Sequence, residues 1–166
     1  MKLSTTLAIT GAAGAIATAG LASPAQAATA SAPKPKACSV KRLDVALAHP
    51  YVIGHKLDQP VSFTAKGKKT CVLRGSATVR LLDKKGKVIG YYRYVAGKKG
   101  RTTLVGPGRQ AVFHLTFGQG GKAPAHPAKL RVTLPNHGGS KAIAWGKTPI
   151  PTSKNIVVDG ITPWED

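Results

Sequence analysis

The chain has 166 residues, of which 25 are lysine or arginine and 6 are aspartate or glutamate, so its formal net charge is +19 at pH 7. Its 19 glycines and 12 prolines, together with the scarcity of windows with helical spacing, exclude a mainly helical class and favour an all-β fold. A length of this order fits one domain.

Residues 1–27 predict a secretory signal peptide. Lys2 supplies a positive start, residues 7–21 form an uncharged apolar run, and Ala25-Gln26-Ala27 has the A-x-A pattern of a cleavage site. Gly, Thr and Ser dilute the apolar run, which makes a membrane anchor the weaker alternative. We therefore expect a secreted, extracellular protein with no transmembrane segment after cleavage.

The segment that follows, residues 28–37, is rich in Pro, Ala and Lys and has no periodicity. This composition predicts a flexible tether. Residues 38–166 are then predicted to form a single β-sandwich domain.

Seven segments have the alternation or short apolar runs of strands, and they span residues 40–48, 61–65, 77–82, 88–95, 110–117, 130–134 and 155–161. Segment 110–117 is the clearest, with Ala111, Phe113, Leu115 and Phe117 predicted to face inward. Segment 88–95 is apolar on both faces, so we expect it to be covered on both sides. About seven to eight short strands predict two packed antiparallel sheets.

The connections between these segments are turns and loops by composition. Residues 66–69, 83–87 and 98–101 are lysine-rich turns, and Gly67 is free to take a positive φ. Gly106-Pro107-Gly108 predicts a tight turn. Residues 118–127 and 135–151 are predicted to be long loops, the second with Ile143 and Trp145 as anchors.

Cys38 and Cys71 are the two cysteines of the chain. Because an exported protein matures in an oxidising compartment, we expect them to form an intramolecular disulfide. In the loop-entropy model such a bond stabilises the domain by roughly 3–4 kcal/mol. Two lone thiols do not make a zinc ligand set.

Several of these segments resemble a known family. The run V-S-F-T-A-K-G-K-K-T-C-V-L-R-G, the turn and strand L-V-G-P-G-R-Q-A-V-F-H-L, and the strand A-K-L-R-V-T-L-P resemble the secreted actinobacterial family called domain of unknown function 4232. The most specific pieces are residues 71–75 and Gly106-Pro107-Gly108 followed by Ala111.

The resemblance covers most of residues 38–161 and implies an immunoglobulin-like antiparallel β-sandwich. It also implies that members often carry a second cysteine pair late in the domain. This chain lacks that pair and has His126-Pro127-Ala128 near the place of the expected third cysteine. The family implies no activity and no catalytic residues.

The residues that could carry chemistry form no recognised motif. The histidines show neither i, i+4 spacing nor H-E-x-x-H, and the G-x-S-x-G context of a serine nucleophile is absent. The acidic residues mark no carboxylate pair of the kind that a glycosidase needs. The Gly-rich run 118–122 lacks the spacing of a phosphate-binding loop. We therefore expect no enzymatic activity, no catalytic residue, no metal and no cofactor.

The lysines cluster in the predicted turns, and the anion-binding candidates are Lys66, Lys68, Lys69, Lys84, Lys85, Lys87, Lys98, Lys99 and Arg101. A charge of this size attracts polyanions and is screened by salt. We expect a monomer that binds an anionic cell-wall polymer such as teichoic acid, or a membrane surface with anionic headgroups. Nucleic acid would bind non-specifically, because no recognition motif is present.

Two alternatives to this binding function stay open. The charge of a secreted domain can serve solubility alone. The two predicted long loops could instead make the chain a protein-interaction or enzyme-inhibitor module, because function concentrates on loops that a rigid scaffold holds.

Overall fold

A computed structural model describes residues 34–92, 100–118, 124–147, 150–151 and 156–164. The predicted signal peptide, residues 28–33 of the predicted tether, and the candidates Lys98 and Lys99 lie outside the described residues. The described part of the chain holds one 3-10 turn, Val40–Arg42, and fourteen strands, and it contains no α-helix. The predicted all-β class is confirmed.

The strands follow one another in chain order as β1 (Leu43–Leu47), β2 (Tyr51–Ile53), β3 (Lys56–Ala65), β4 (Cys71–Leu73), β5 (Thr78–Leu82), β6 (Val88–Tyr92), β7 (Thr103–Val105), β8 (Ala111–Gly118), β9 (Pro124–Ala125), β10 (Lys129–Thr133), β11 (Ser140–Ala144), β12 (Ile150–Pro151), β13 (Ile156–Val158) and β14 (Thr162–Pro163).

Two larger antiparallel sheets organise these strands. The first is six-stranded, with the order β1-β3-β8-β13; β2 pairs with β3 and β14 with β8. The second is four-stranded, with the order β11-β10-β5-β6. Two small ladders, β4 with β7 and β9 with β12, complete the described pairing.

The core lies between the two larger sheets. The inward residues predicted for β8 are all buried, and Phe63 of β3 packs beside Phe113 with ring centroids 5.6 Å apart. Leu115 and Phe117 of the first sheet line one small internal gap together with Val79, Leu81 and Leu130 of the second. Each large apolar side chain buried in this way contributes about 1.5–3 kcal/mol. The predicted sandwich is therefore confirmed in its essentials.

Two predictions about individual strands were wrong. Residues 40–42, predicted as the start of the first strand, form the 3-10 turn. The sixth strand was expected to be covered on both faces, yet Val88 and Ile89 are 42% and 43% exposed. The reason is its place at the end of the strand order of its sheet, next to β5 alone among the strands of that sheet.

Residues 135–151 were predicted to be a loop, and this prediction was wrong, because the segment contains a strand. Ser140–Ala144 instead forms β11, paired along its length with β10. The indole of Trp145, which follows β11, is 2% exposed and packs against Phe117 of the other sheet. Trp145 therefore anchors this segment, as predicted, but it does so as the end of a strand.

The disulfide is confirmed: Cys38 and Cys71 are bonded, with Cα atoms 5.0 Å apart and both side chains buried. The bond attaches the start of the domain to β4. Hydrogen bonds support the attachment, because Cys38 N–H donates to Val72 O and Val72 N–H donates to Lys36 O. The last residues of the predicted tether are thus held against the domain.

Candidate functional site

The first basic turn, defined by Lys66, Lys68 and Lys69, follows β3, and its three side chains are exposed. Gly67 has a φ of 111°, so the predicted positive φ is confirmed. The Lys66 ammonium lies 3.8 Å from the exposed carboxylate of Asp44, which Lys141 also approaches at 3.3 Å. The turn has three lysines and this one nearby carboxylate among the described residues, so it keeps a net positive charge.

The second basic turn, defined by Lys84, Lys85 and Lys87, connects β5 to β6. Its lysines are exposed as well. The carboxylate of Asp83 does not pair with them in the described structure; it accepts a hydrogen bond of 2.8 Å from the Lys87 backbone N–H. Asp83 N–H in turn donates to Lys87 O at 2.9 Å. Asp83 therefore shapes the turn that presents the three lysines.

The two basic turns lie at opposite ends of the sandwich. The first follows β3 at the end of its sheet where β8 begins, since Phe63 pairs with Ala111. The second follows β5 at the end of the other sheet where β11 stops. Trp145, directly after β11, packs on Phe117 near the far end of β8. Since β8 has eight residues, the turns are separated by roughly 20–25 Å.

Arg101, the remaining described candidate, belongs to neither basic turn. Its side chain is exposed and lines an open groove on the outer face of the six-stranded sheet. The groove has a volume of about 430 Å³, and its lining includes Tyr51, Arg101, Val112, His114, Pro163 and Trp164. Sequence reasoning grouped Arg101 with Lys98 and Lys99, which lie outside the described residues.

A buried carboxylate, that of Asp58, lies next to this groove and bonds one of its lining residues. Asp58 of β3 is 6% exposed although it points to the outer face of the sheet. Its Oδ1 accepts a hydrogen bond of 2.6 Å from His114 Nδ1, and its Oδ2 accepts one of 2.9 Å from Thr116 Oγ1. A carboxylate can only accept, so Nδ1 of His114 carries the proton. The imidazole is thereby fixed in orientation.

Strand register brings these groups together. Asp58 pairs directly with Thr116 of β8 and with Tyr51 of β2. His114 lies two residues before Thr116, at the diagonal position from which side chains on neighbouring strands still meet. The Tyr51 ring stands edge-on to the imidazole, with centroids 6.3 Å apart. The cluster therefore follows from the pairing of three strands.

Sequence reasoning missed this cluster. It placed His114 on an outward face and Asp58 outside any strand, because the predicted strand began at residue 61 whereas β3 begins at Lys56. The sequence did contain a signal for the position of Asp58. If the predicted strand is continued back to Lys56, Asp58 lies three residues before the inward Val61 and therefore on the outward face, like Ser62. Which residue of β8 stands beside it depends on register.

The groove supplies binding groups more readily than catalytic ones. His114 with its carboxylate partner could act as a base through Nε2. A nucleophile for it to activate would have to be a hydroxyl of Tyr51 or Thr162, because the described lining contains no serine or cysteine. The described residues contain no group of three His, Cys, Asp or Glu side chains that could hold a metal ion. The arrangement is suited to holding an anionic or hydroxyl-rich ligand.

A family model for a domain of unknown function (DUF4232) matches residues 38–164, which is most of the chain. The chain belongs to the DUF4232 family. The resemblance predicted from its motifs is confirmed. No curated protein and no solved structure matches the chain. In the described residues of this DUF4232 protein, no helix is long and apolar enough to cross a membrane.

The two most specific DUF4232 motifs lie side by side in the structure. Residues 71–73 of the first form β4, which pairs with β7. The chain leaves β7 directly into the turn of the second motif. In this turn Gly106 and Arg109 exchange backbone hydrogen bonds, and Gly108 has a φ of 67°. The predicted tight turn is confirmed. Both motifs therefore build the disulfide-bearing part of the domain and place no side chain of theirs in the groove.

Proposed function

We propose that this DUF4232 protein is a secreted, non-enzymatic module that binds anionic polymers of the cell envelope through its two basic turns. The observation that carries the proposal is the exposure of all six lysines of these turns. Among the described acidic residues, Asp44 alone lies within 4.0 Å of one of these lysines, Lys66.

The separation of the turns favours a long ligand over a small one. A ligand that engages both turns has to span roughly 20–25 Å along the sandwich, which a polymer does and a single phosphate does not. Two weak contacts joined by one chain reinforce each other, because binding at the first raises the effective concentration at the second. The attraction is screened by salt.

The competing explanation is that the charge serves solubility alone. The two explanations differ in whether the position of the charge matters. A polymer-binding protein loses affinity most when lysines are removed from the basic turns, whereas a solubility charge is interchangeable with any other exposed charge.

The test is retention of the secreted protein on immobilised teichoic acid as a function of NaCl concentration. Two triple variants, K66Q/K68Q/K69Q and K84Q/K85Q/K87Q, each remove three charges from one turn. The matched control K34Q/K56Q/R74Q removes three exposed charges, none of which pairs with a residue that flanks either basic turn. Each turn variant is expected to lower the slope of log affinity against log salt by roughly 2, on the scale of counterion release from flexible polyanions.

The control is expected to shift elution much less than either turn variant. If all three variants elute together, position is irrelevant and the solubility explanation replaces the proposal.

A further inference from the structure

The groove on the six-stranded sheet takes no part in binding by the basic turns. Its residues line a defined volume, whereas the lysines of the turns are exposed on the surface. Its volume of about 430 Å³ falls within the range of small-molecule sites. It is lined by residues of β2, β3, β8 and β14, by Trp164 directly after β14, and by the chain before β7. Its chemistry differs from that of the turns, because its lining combines the aromatic rings of Tyr51 and Trp164 with Arg101 and His114.

Arg101 and His114 supply the nitrogen groups of the groove lining. The Arg101 backbone is held in place, since its N–H donates to Ile161 O at 2.9 Å and its carbonyl accepts a hydrogen bond from Thr103 Oγ1 at 3.3 Å. No described side chain pairs with the Arg101 guanidinium. A guanidinium in this situation offers a planar fork of donors to a carboxylate or a phosphate.

His114 contributes a second, oriented nitrogen. Its Nδ1 is bonded to Asp58, so Nε2 is the nitrogen that remains, and no described residue bonds it. When the imidazole is protonated, Nε2–H is a charged donor. The Asp58 carboxylate does not line the groove and is already satisfied by His114 and Thr116. No carboxylate belongs to the described lining, so an anion would not be repelled at close range.

Tyr51 and Trp164 line the groove at different points along β8. Tyr51 stands beside His114, with its hydroxyl oxygen 3.3 Å from Nδ1. Trp164 is held by its backbone N–H, which donates to Gln110 O at 3.1 Å. Val112 and Pro163 add apolar surface to the lining, and the Thr162 hydroxyl adds a polar group. Aromatic and apolar surface with a few oriented polar groups is the composition of sites that bind a ring with polar substituents.

We infer that the groove binds one anionic sugar unit, a pyranose ring that carries a carboxylate or a phosphate. Arg101 and His114 hold the acid group, and the aromatic and apolar side chains of the lining pack on the C–H groups of the sugar. This inference deepens the proposed function, because it assigns a selective subsite for the same class of polymer. The basic turns supply unselective attraction, and the groove reads the monomer.

The test uses small probes in place of the polymer. Glucuronate, glucose 1-phosphate, glucose, acetate and inorganic phosphate are titrated into the 15N-labelled full protein. The readouts are the His114 ring and Trp164 indole signals. For ligands of about 13 to 16 non-hydrogen atoms, such as glucuronate and glucose 1-phosphate, ordinary ligand efficiency corresponds to a Kd on the order of 1 mM or slightly below. Glucuronate, glucose 1-phosphate or both are expected to bind at this level, and glucose, acetate and phosphate at least tenfold more weakly.

Two substitutions and one control locate the binding. R101Q and H114Q are each expected to weaken the sugar acid at least tenfold. R42Q, which removes an exposed arginine outside the groove lining, is expected to leave it unchanged. Unaltered amide spectra of R101Q and R42Q would show that both are folded. Equal binding of glucose, or of acetate and phosphate, would overturn the inference, and so would equal affinities of R101Q and R42Q.

Failure of this inference is distinguishable from failure of the proposed function. A variant with all six turn lysines replaced by glutamine is expected to lose retention on teichoic acid while keeping the sugar-acid Kd. R101Q is expected to show the reverse.

Discussion

Asp58 and His114 are hydrogen-bonded across the middle of the main sheet, with Oδ1 and Nδ1 2.6 Å apart, although 56 residues separate them along the chain. Removing either of the two donors to a buried carboxylate lowers stability, because a less satisfied buried charge is costly. Breaking the pair is therefore expected both to lower the stability of the sheet and to release His114 from its orientation. His114 is the one histidine in the groove lining that the structure describes.

Replacing Asp58 by asparagine is expected to destabilise the domain by roughly 1.5–3 kcal/mol, because charge-assisted hydrogen bonds are lost from a buried position. Urea unfolding measures the change. Thr116→Val is the matched comparison: it removes the bond to Oδ2 while leaving His114 paired, and its expected cost is about 1 kcal/mol. Equal stabilities of the Asp58→Asn variant and the wild type would contradict the structural role of the pair.

The disulfide is expected to stabilise the domain by restricting the unfolded chain. Cys38 and Cys71 are 33 residues apart, so the double variant C38A/C71A is expected to be less stable by about 3–4 kcal/mol in the loop-entropy model. Adding a reductant to the wild type should produce a similar loss of stability and should not affect the variant. A wild type whose urea midpoint is indifferent to reductant would argue against this bond as a source of stability.

Trp145→Ala is expected to destabilise the domain by about 3–5 kcal/mol, the range for large aromatic residues removed from a core. The indole packs on Phe117 and lines the gap between the sheets, so its removal leaves a cavity that the rigid strands cannot fill. Trp164→Ala, at a half-buried position on the groove, serves as the control and should cost clearly less. The free energies of unfolding of the two variants, compared in urea, decide the matter.

Limited proteolysis tests the unexpected strand β11. Lys141 is paired with Val132 in the ladder, and a protease needs an extended, unpaired segment. Trypsin is therefore expected to cut the native protein after the exposed Lys68 or Lys69 well before it cuts after Lys141, as followed by mass spectrometry of early fragments. Cleavage at all three sites at one rate would mean that β11 is not formed in solution.

Local patterns allowed several features to be predicted from the sequence. The alternation in Ala111–Gly118 is sufficient to decide which residues face inward, because successive side chains of a strand point to opposite faces. Gly67 and Gly108 mark turns, since glycine takes a positive φ without steric cost. The disulfide followed from there being two cysteines in a chain that begins with an export signal pattern.

Strand pairing and register were decided only by the tertiary structure. Strand β11 reads as S-K-A-I-A, with too few large apolar residues to reveal a strand, and it forms because β10 offers its edge and Trp145 fills a place in the core. Register likewise places Asp58 beside Thr116 and His114, and a shift of one residue would send these side chains to opposite faces. Alternation thus specifies the face of each residue, whereas the neighbour across the sheet depends on how the whole core packs.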